Sequence, residues 1–428
     1  MQEPGRQTSP PTPEHPDPLV DTDLRPMFDD IKKLPGLYGD LEAQFDLQEI
    51  AKYYFDGQGK AVRPLITVLM SRAINTHLHD EDRKKKEKFW EDLKQLLSPM
   101  TLRRSWAGRL LPSCPLFNSQ WQVAKVTEML HTASLVHDDV LDASDTRRGK
   151  PSVSHLYGQR KVTQEDAIMF ACTVSSYCVV FPPQGLVALL AASHSAVMAG
   201  DYILSVASTI LARIRNEEVI VVLSQPQCSA AGQIQEPTHV DVLLFQVLTD
   251  LVQGEFMQLG SKENENERFA HYLKKTFKKT ASLIAYSCKA VAILSGGDED
   301  VQEMAFQYGR NVGIAFQLVD DLLDFVSSAT TMGKPTAADL KLGLATAPVL
   351  FACEQFPELN PMIMRRFQEP GDVQKAFELV HKSDGLEQTK FLARQHCQEA
   401  IKVISTMKPS LEQKALITIT DKVLNRMK

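Results

Sequence analysis

The stretch VQEMAFQYGRNVGIAFQLVDDLLDFV, residues 301–326, decides how this chain is read. Its apolar residues recur at helical period, and it closes on Asp320-Asp321-Leu322-Leu323-Asp324. Residues four apart share a helix face, so Asp320 and Asp324 stack. The same Asp-Asp-x-x-Asp pattern ends a second apolar run, Val123 to Asp142, as Asp138-Asp139-Val140-Leu141-Asp142. Large apolar neighbours (Leu135, Val136, Val140 and Leu141; Leu318, Val319, Leu322 and Leu323) place both clusters against a core. Crowded carboxylates repel one another and are costly to bury unpaired. Two such clusters therefore point to divalent cations held between two helices. Hard oxygen donors without nearby Cys or paired His favour Mg²⁺ over Zn²⁺. Mg²⁺ seeks phosphate oxygens, so a diphosphate is the natural further partner.

Working outward, helical period dominates. Helices are expected at Asp46–Phe55, Pro64–Asn75, Val123–Asp142, Ala196–Ile214, Val247–Gly260, Glu267–Leu294 and Val301–Val326, then from Ala337 to Lys428. No alternating strand pattern stands out. The expected class is all-α, a helical bundle around a deep central cavity. Six prolines within the first 18 residues describe a disordered tail, drawn as 1–40, with the helical domain at 41–428. The tail reads as neither a secretory signal nor a transit peptide. Three stretches, 80–118, 162–195 and 226–246, break the rhythm and read as insertions or as artefacts of the gene model. One of them, 162–195, overlaps the uncharged run Ala167–Gly200, which is long enough to suggest a membrane span. Pro182-Pro183 divides that run into halves too short to cross alone, so at most a peripheral association is expected.

A net charge of −6 gives no reason to expect nucleic-acid binding. The seven cysteines show no framework spacing and read as reduced thiols.

Basic and polar residues gather near the acidic runs. Lys60 and Arg63 precede a helix, whose N-terminus favours anions. Arg147-Arg148 follow the first cluster, and guanidinium forks match phosphate oxygens. Lys279-Thr280 lie in the Glu267–Leu294 helix, Gln317 precedes Asp321 by one turn, and Lys334 lies beyond the second cluster. His131 sits two turns before Asp138, and His137 adjoins the aspartate pair.

Together, the two acidic motifs, Gly59-Lys60-x-x-Arg63-Pro64, Arg147-Arg148-Gly149, Lys279-Thr280 and Phe316-Gln317-x-x-Asp320-Asp321 resemble the trans-prenyltransferases, the isoprenyl diphosphate synthases. The runs from Gly260 to Leu273 and from Asp339 to Thr346 are similar to animal decaprenyl diphosphate synthases within that family. The resemblance covers nearly all of the chain from about residue 45, outside the three breaks. It implies an all-α bundle with a deep cavity. It implies Mg²⁺ as cofactor, held by Asp138, Asp139, Asp142, Asp320, Asp321 and Asp324. Lys60, Arg63, His131 and Arg148 match the isopentenyl diphosphate site. Arg147, Lys279, Thr280, Gln317 and Lys334 match the allylic diphosphate site. The catalytic set it implies is Asp138, Asp139, Asp142, Arg147, Lys279, Asp320 and Asp321. The implied reaction is elongation to a long, decaprenyl-type all-trans diphosphate for the ubiquinone side chain, in mitochondria, by a hetero-oligomer with a related second subunit, expected as a heterotetramer.

Small Ala133 and Ser134, one turn before Asp138, leave a path for a long product. The chain departs from the family at Leu344, where a lysine often follows glycine. Two competing readings remain: a terpene cyclase or head-to-head condensing synthase, and a catalytically impaired or regulatory subunit. Lys60, Arg63 and the Arg147-Arg148 pair argue against the first, and the intact aspartates against the second.

Overall fold

The structure is a computed structural model. It describes residues 26–32, 61–96, 116–141, 195–216, 265–326 and 337–426, with short pieces at 53, 55, 146–147, 150–152, 155–156, 219, 250, 253 and 257. The side chains of 80–96, 140–141, 147, 195–198 and 265–266 lie outside that description. So do Lys60, Asp142, Arg148 and Lys334, the segments 162–194 and 226–246, and most of the uncharged run.

Helices make up almost all the regular structure among the described residues. In chain order they are α1 (26–32), α2 (Val62–Leu96), α3 (Asn118–Leu141), α4 (Ser195–Arg213), α5 (Glu265–Thr276), α6 (Ser282–Leu294), α7 (Glu299–Val326), α8 (Ala338–Lys341), α9 (Ala347–Gln355), α10 (Leu359–Met364), α11 (Asp372–Lys382), α12 (Gly385–Ile404) and α13 (Leu411–Asn425). A two-residue hairpin, β1 (Thr146–Arg147) and β2 (Lys150–Pro151), follows the first acidic cluster, where only a helix end was expected. None of the helices among the described residues is long and apolar enough to cross a membrane.

The decisive stretch forms α7 as expected. Its apolar face is buried, and it packs against α6 on one side and α12 and α13 on the other. Fully buried Tyr308 donates to the Leu416 carbonyl at 2.9 Å, which ties α7 to α13. At Gly313, an added Cβ would sit 2.5 Å from the Ala281 Cα, so glycine there lets α7 approach its neighbour closely. α6 also packs against α3 and α2, so a single helix buttresses both acidic helices. Below it, Asn75, Gln120 and Ser295 form a buried network, with Gln120 donating to Asn75 Oδ1 at 3.0 Å and to Ser295 Oγ at 2.7 Å. Satisfied buried amides of this kind fix how helices register against one another.

Three findings depart from the sequence expectations. α2 does not stop near Asn75 but runs on to Leu96, through the start of the stretch that breaks the family resemblance. The expected helix Glu267–Leu294 is interrupted by a π-helical turn at Phe277–Ala281. And α1, which falls inside the proline-rich 1–40, buries Met27, Phe28 and Ile31 in the core, with Asp30 paired to Lys125 of α3 at 2.8 Å. Among the described cysteines, Cys288 and Cys397 are buried free thiols.

Candidate active site

The second acidic cluster is best built from the π turn. One extra residue per turn shifts the phase of the helix, and such bulges recur at functional sites. Here the shift sends neighbouring side chains different ways. Lys278 reaches Asp250 at 2.5 Å and Gln253 at 2.7 Å. Thr280 turns toward α7, and its hydroxyl donates to Gln317 Oε1 at 2.8 Å. Gln317 Nε2 then donates to Asp321 Oδ1 at 2.7 Å, and the Tyr272 hydroxyl donates to Asp321 Oδ2 at 2.5 Å. Residues from α5, the π turn and α7 thus form one connected chain, Thr280 to Gln317 to Asp321, closed by Tyr272. Lys279 lies half-buried on the same turn.

Asp321 is almost fully buried. Burial pushes its carboxyl up to about 6, although the Tyr272 and Gln317 hydrogen bonds and nearby Lys275 hold it down. Burial also raises the Tyr272 hydroxyl well above its ordinary range, with the Asp321 charge adding to the effect. Tyr272 is therefore a proton donor at neutral pH, never a phenolate.

The other two carboxylates of the cluster have different neighbours. Asp320 is half-exposed and pairs with Arg426, just past the end of α13, at 2.8 Å. The Arg426 guanidinium lies over the Phe316 ring, 4.6 Å from its centroid. Asp324 accepts backbone N–H bonds from Ala338 and Asp339, both at 3.1 Å, and so caps α8. Capping with a carboxylate suits a helix N-terminus. The cap pins the chain where it returns from residues 327–336, which carry Lys334. Ala337 makes that return in the left-handed region, at φ 58°.

At the first cluster, Asp139 is fully buried and Asp138 half-buried at the end of α3. His137 reaches across to α4. Its Nε2 lies 3.4 Å from Asp201 Oδ1 on α4, above Gly200. A Cβ at position 200 would stand 2.3 Å from that nitrogen, so glycine makes room for the ring.

Two predicted isopentenyl-site residues come together across α2 and α3. Arg63 Nη1 lies 2.8 Å from His131 Nε2. A guanidinium can only donate, so Nε2 accepts and the ring carries its proton on Nδ1. Lys60 and Arg148 lie outside the described residues. So do Asp142, Lys334 and the Arg147 side chain, although β1 fixes the Arg147 backbone.

The donor chemistry fits Mg²⁺: carboxylate oxygens only, with Asp320 reachable from solvent. Among the described residues, no three acidic or imidazole groups converge on one point. Mg²⁺ tolerates that, since it keeps several waters and takes one or two carboxylates.

Sequence reading missed Tyr272, Arg426 and the Gly200–Asp201 pair. All three depend on contacts between distant parts of the chain, Tyr272 with Asp321, Arg426 with Asp320, and Asp201 with His137.

The polyprenyl synthetase family model matches residues 44–190 and 184–380. The chain is 47% identical over 402 residues to the human all-trans-polyprenyl-diphosphate synthase PDSS1, covering 93% of this chain and 76% of that protein. It is 37% identical over 402 residues to decaprenyl-diphosphate synthase subunit 1 of Schizosaccharomyces pombe, covering 92% and 88%. Among solved structures, heptaprenyl diphosphate synthase from Staphylococcus aureus superposes with a TM-score of 0.67 at 22% identity, over 96% of this chain and 99% of that one, a likeness of fold.

Proposed function

The chain belongs to the polyprenyl synthetase family, and from that premise we propose that it elongates an allylic diphosphate with isopentenyl diphosphate into a long all-trans polyprenyl diphosphate of decaprenyl type, for the ubiquinone side chain. The observation that carries this reading is the hydrogen-bond chain Thr280–Gln317–Asp321–Tyr272, which joins two expected diphosphate contacts to the second acidic cluster. The paired Arg63 and His131 give the isopentenyl site a second anchor.

Asp138, Asp139, Asp142, Asp320, Asp321 and Asp324 would hold Mg²⁺, which when bound supplies charge neutralisation and Lewis acidity at the leaving diphosphate. Lys279, Arg147 and Lys334 bind the allylic diphosphate and stabilise the negative charge it gains on departure. Thr280 and Gln317 orient Asp321 and offer polar groups to the same diphosphate. Lys60, Arg63, His131 and Arg148 hold isopentenyl diphosphate with its double bond next to the allylic carbon. The allylic C–O bond breaks with its electron pair on diphosphate. The isopentenyl double bond attacks the resulting allylic cation and forms the new C–C bond. A proton is lost to the released diphosphate, which restores an alkene. No step needs a side-chain nucleophile.

The product tail runs along α3 past two small side chains, fully buried Ala133 and half-buried Ser134, where no bulky residue stands in its way. A related second subunit completes the enzyme, a reading supported by the S. pombe relative's name as a subunit 1. A mitochondrial location is supported by relatives named as mitochondrial, such as the probable hexaprenyl pyrophosphate synthase of Yarrowia lipolytica.

The test is incorporation of labelled isopentenyl diphosphate by the full chain, with Mg²⁺ and an allylic primer, with and without the co-expressed related subunit. Long linear all-trans products are expected, at least in the pair. Cyclic or squalene-like products, or no incorporation by either preparation, would overturn the proposal.

A further inference from the structure

The grip on Asp320 differs from an ordinary structural ion pair in the same molecule. Arg365 holds Asp372 with two N–H groups, Nε at 2.7 Å and Nη2 at 2.6 Å. Arg426 reaches Asp320 Oδ1 through Nη2 alone, at 2.8 Å. Its Nη1 is buried and has no hydrogen-bond partner. The fork is thus half used, although a guanidinium is shaped for two-pronged recognition of a carboxylate. Phe316, one turn before Asp320 on α7, offers its ring face to the guanidinium. That platform keeps the cation in place whether or not the carboxylate is engaged. Asp320 is also the most exposed of its three carboxylates, with 35% of its side chain accessible against near-complete burial of Asp321 and Asp324. An incoming cation meets it first.

We propose that Arg426 is a resident counter-cation for Asp320 that competes with the divalent ion. It neutralises the carboxylate while no ion is bound and yields it when one arrives, its guanidinium remaining on Phe316. The inference rests on the reading of the second acidic cluster as a divalent-ion site. Its consequence is a weakened affinity for the bare ion. Ion binding then depends more on the diphosphate that accompanies it, so the site fills when substrate is present.

The test uses Mn²⁺ alone, titrated into the metal-free full chain without diphosphate and followed by calorimetry or by the free-ion electron paramagnetic resonance signal. Arg426→Gln removes a competitor and a like charge, and should tighten Mn²⁺ about fivefold, the scale of a partly exposed ion pair. Arg426→Lys keeps the charge and should stay close to wild type. In EDTA, Arg426→Gln should unfold at a lower temperature than wild type, and saturating Mn²⁺ should raise its midpoint by more than it raises that of wild type. Equal or weaker Mn²⁺ affinity in a folded Arg426→Gln protein overturns the proposal. So does a midpoint lowered equally with and without the ion, the mark of a purely structural pair. If Arg426→Gln fails to fold, Phe316→Leu serves, since it removes the platform and leaves the charge. A modest tightening is then expected, and none overturns the proposal. Mn²⁺ binding in wild type with no gain in the variants refutes the role of Arg426 alone. No binding in any of them, with or without inorganic diphosphate, refutes the ion site itself.

Discussion

The two acidic pentapeptides differ only at Val140 and Leu322, yet the molecule treats them differently. The first lies at the end of the described part of α3, Asn118–Leu141, with Asp142 outside the described residues. Its histidine neighbour lies against Asp201 of α4. The second lies inside the last two turns of α7, which continues to Val326, and every one of its carboxylates is held by another part of the chain. Tyr272 and Gln317 fix Asp321, Arg426 holds Asp320, and two backbone N–H groups hold Asp324. The spelling of a motif names the donors. The surroundings decide what each oxygen does before a ligand arrives.

The most drastic way to probe the contrast is to delete one carboxylate from each motif. Asp138→Ala and Asp320→Ala should each lower kcat by about 10²–10³-fold, the scale seen when a preorganised electrostatic contact is lost, with helical circular dichroism unchanged. Near-normal turnover in either variant would remove that motif from the ion site.

A finer probe separates the partnered carboxylate from its partner. Tyr272→Phe leaves the buried Asp321 short of a donor. Stability in EDTA should fall by about 1–3 kcal/mol in chemical denaturation. Activity should fall with it, because the carboxylate loses its orientation. Unchanged stability would mean that the hydroxyl does not serve Asp321.

The same burial sets a pH dependence. Asp321 has a folded-state value of about 6, above the ordinary 3.8. A raised value means the fold prefers the protonated acid, so this contribution to stability is full below about pH 4 and is lost as pH rises through about 6. The loss should be on the order of 2–3 kcal/mol in metal-free protein. Asp321→Asn should flatten that segment of the stability–pH curve. A slope that survives in the variant would assign the effect elsewhere.

Smaller effects are expected at the first motif. Gly200→Ala drives a methyl into the His137 ring and should cost about 1–3 kcal/mol, as overpacking does. A loss of less than ~0.5 kcal/mol would show that the ring has room to move. Ser134→Phe should leave turnover largely intact and shorten the product, read by chain-length analysis. Unchanged length would refute the path along α3.

The bundle was legible because α7, α3 and α4 carry an unbroken apolar period that only a helix buries on one face. The boundaries of α4 and α7 differ from expectation by one or two residues. α2 was not legible beyond Asn75, since Arg83-Lys84-Lys85-Lys86 shows no apolar stripe, and its continuation to Leu96 follows no hydrophobic pattern. The π turn was invisible for a related reason. Periodicity over 267–294 averages to a helix, while a single inserted residue changes which of Lys278, Lys279 and Thr280 faces α7. At the site, residue types were readable from charge and spacing: Gln317 and Asp321 one turn apart, and Arg63 near a helix start. Contacts between remote segments were not. Nothing in the local sequence links Arg426 to Asp320, Tyr272 to Asp321, or Asp324 to the start of α8.

Equilibrium binding of an allylic diphosphate to the full chain beside its related subunit, measured with Mg²⁺ and again in EDTA, tests the central claim most directly. The account predicts saturable binding with Mg²⁺ that weakens at least tenfold in EDTA and in Asp320→Ala. Binding equally strong without the ion, or no binding by a folded complex, would contradict it.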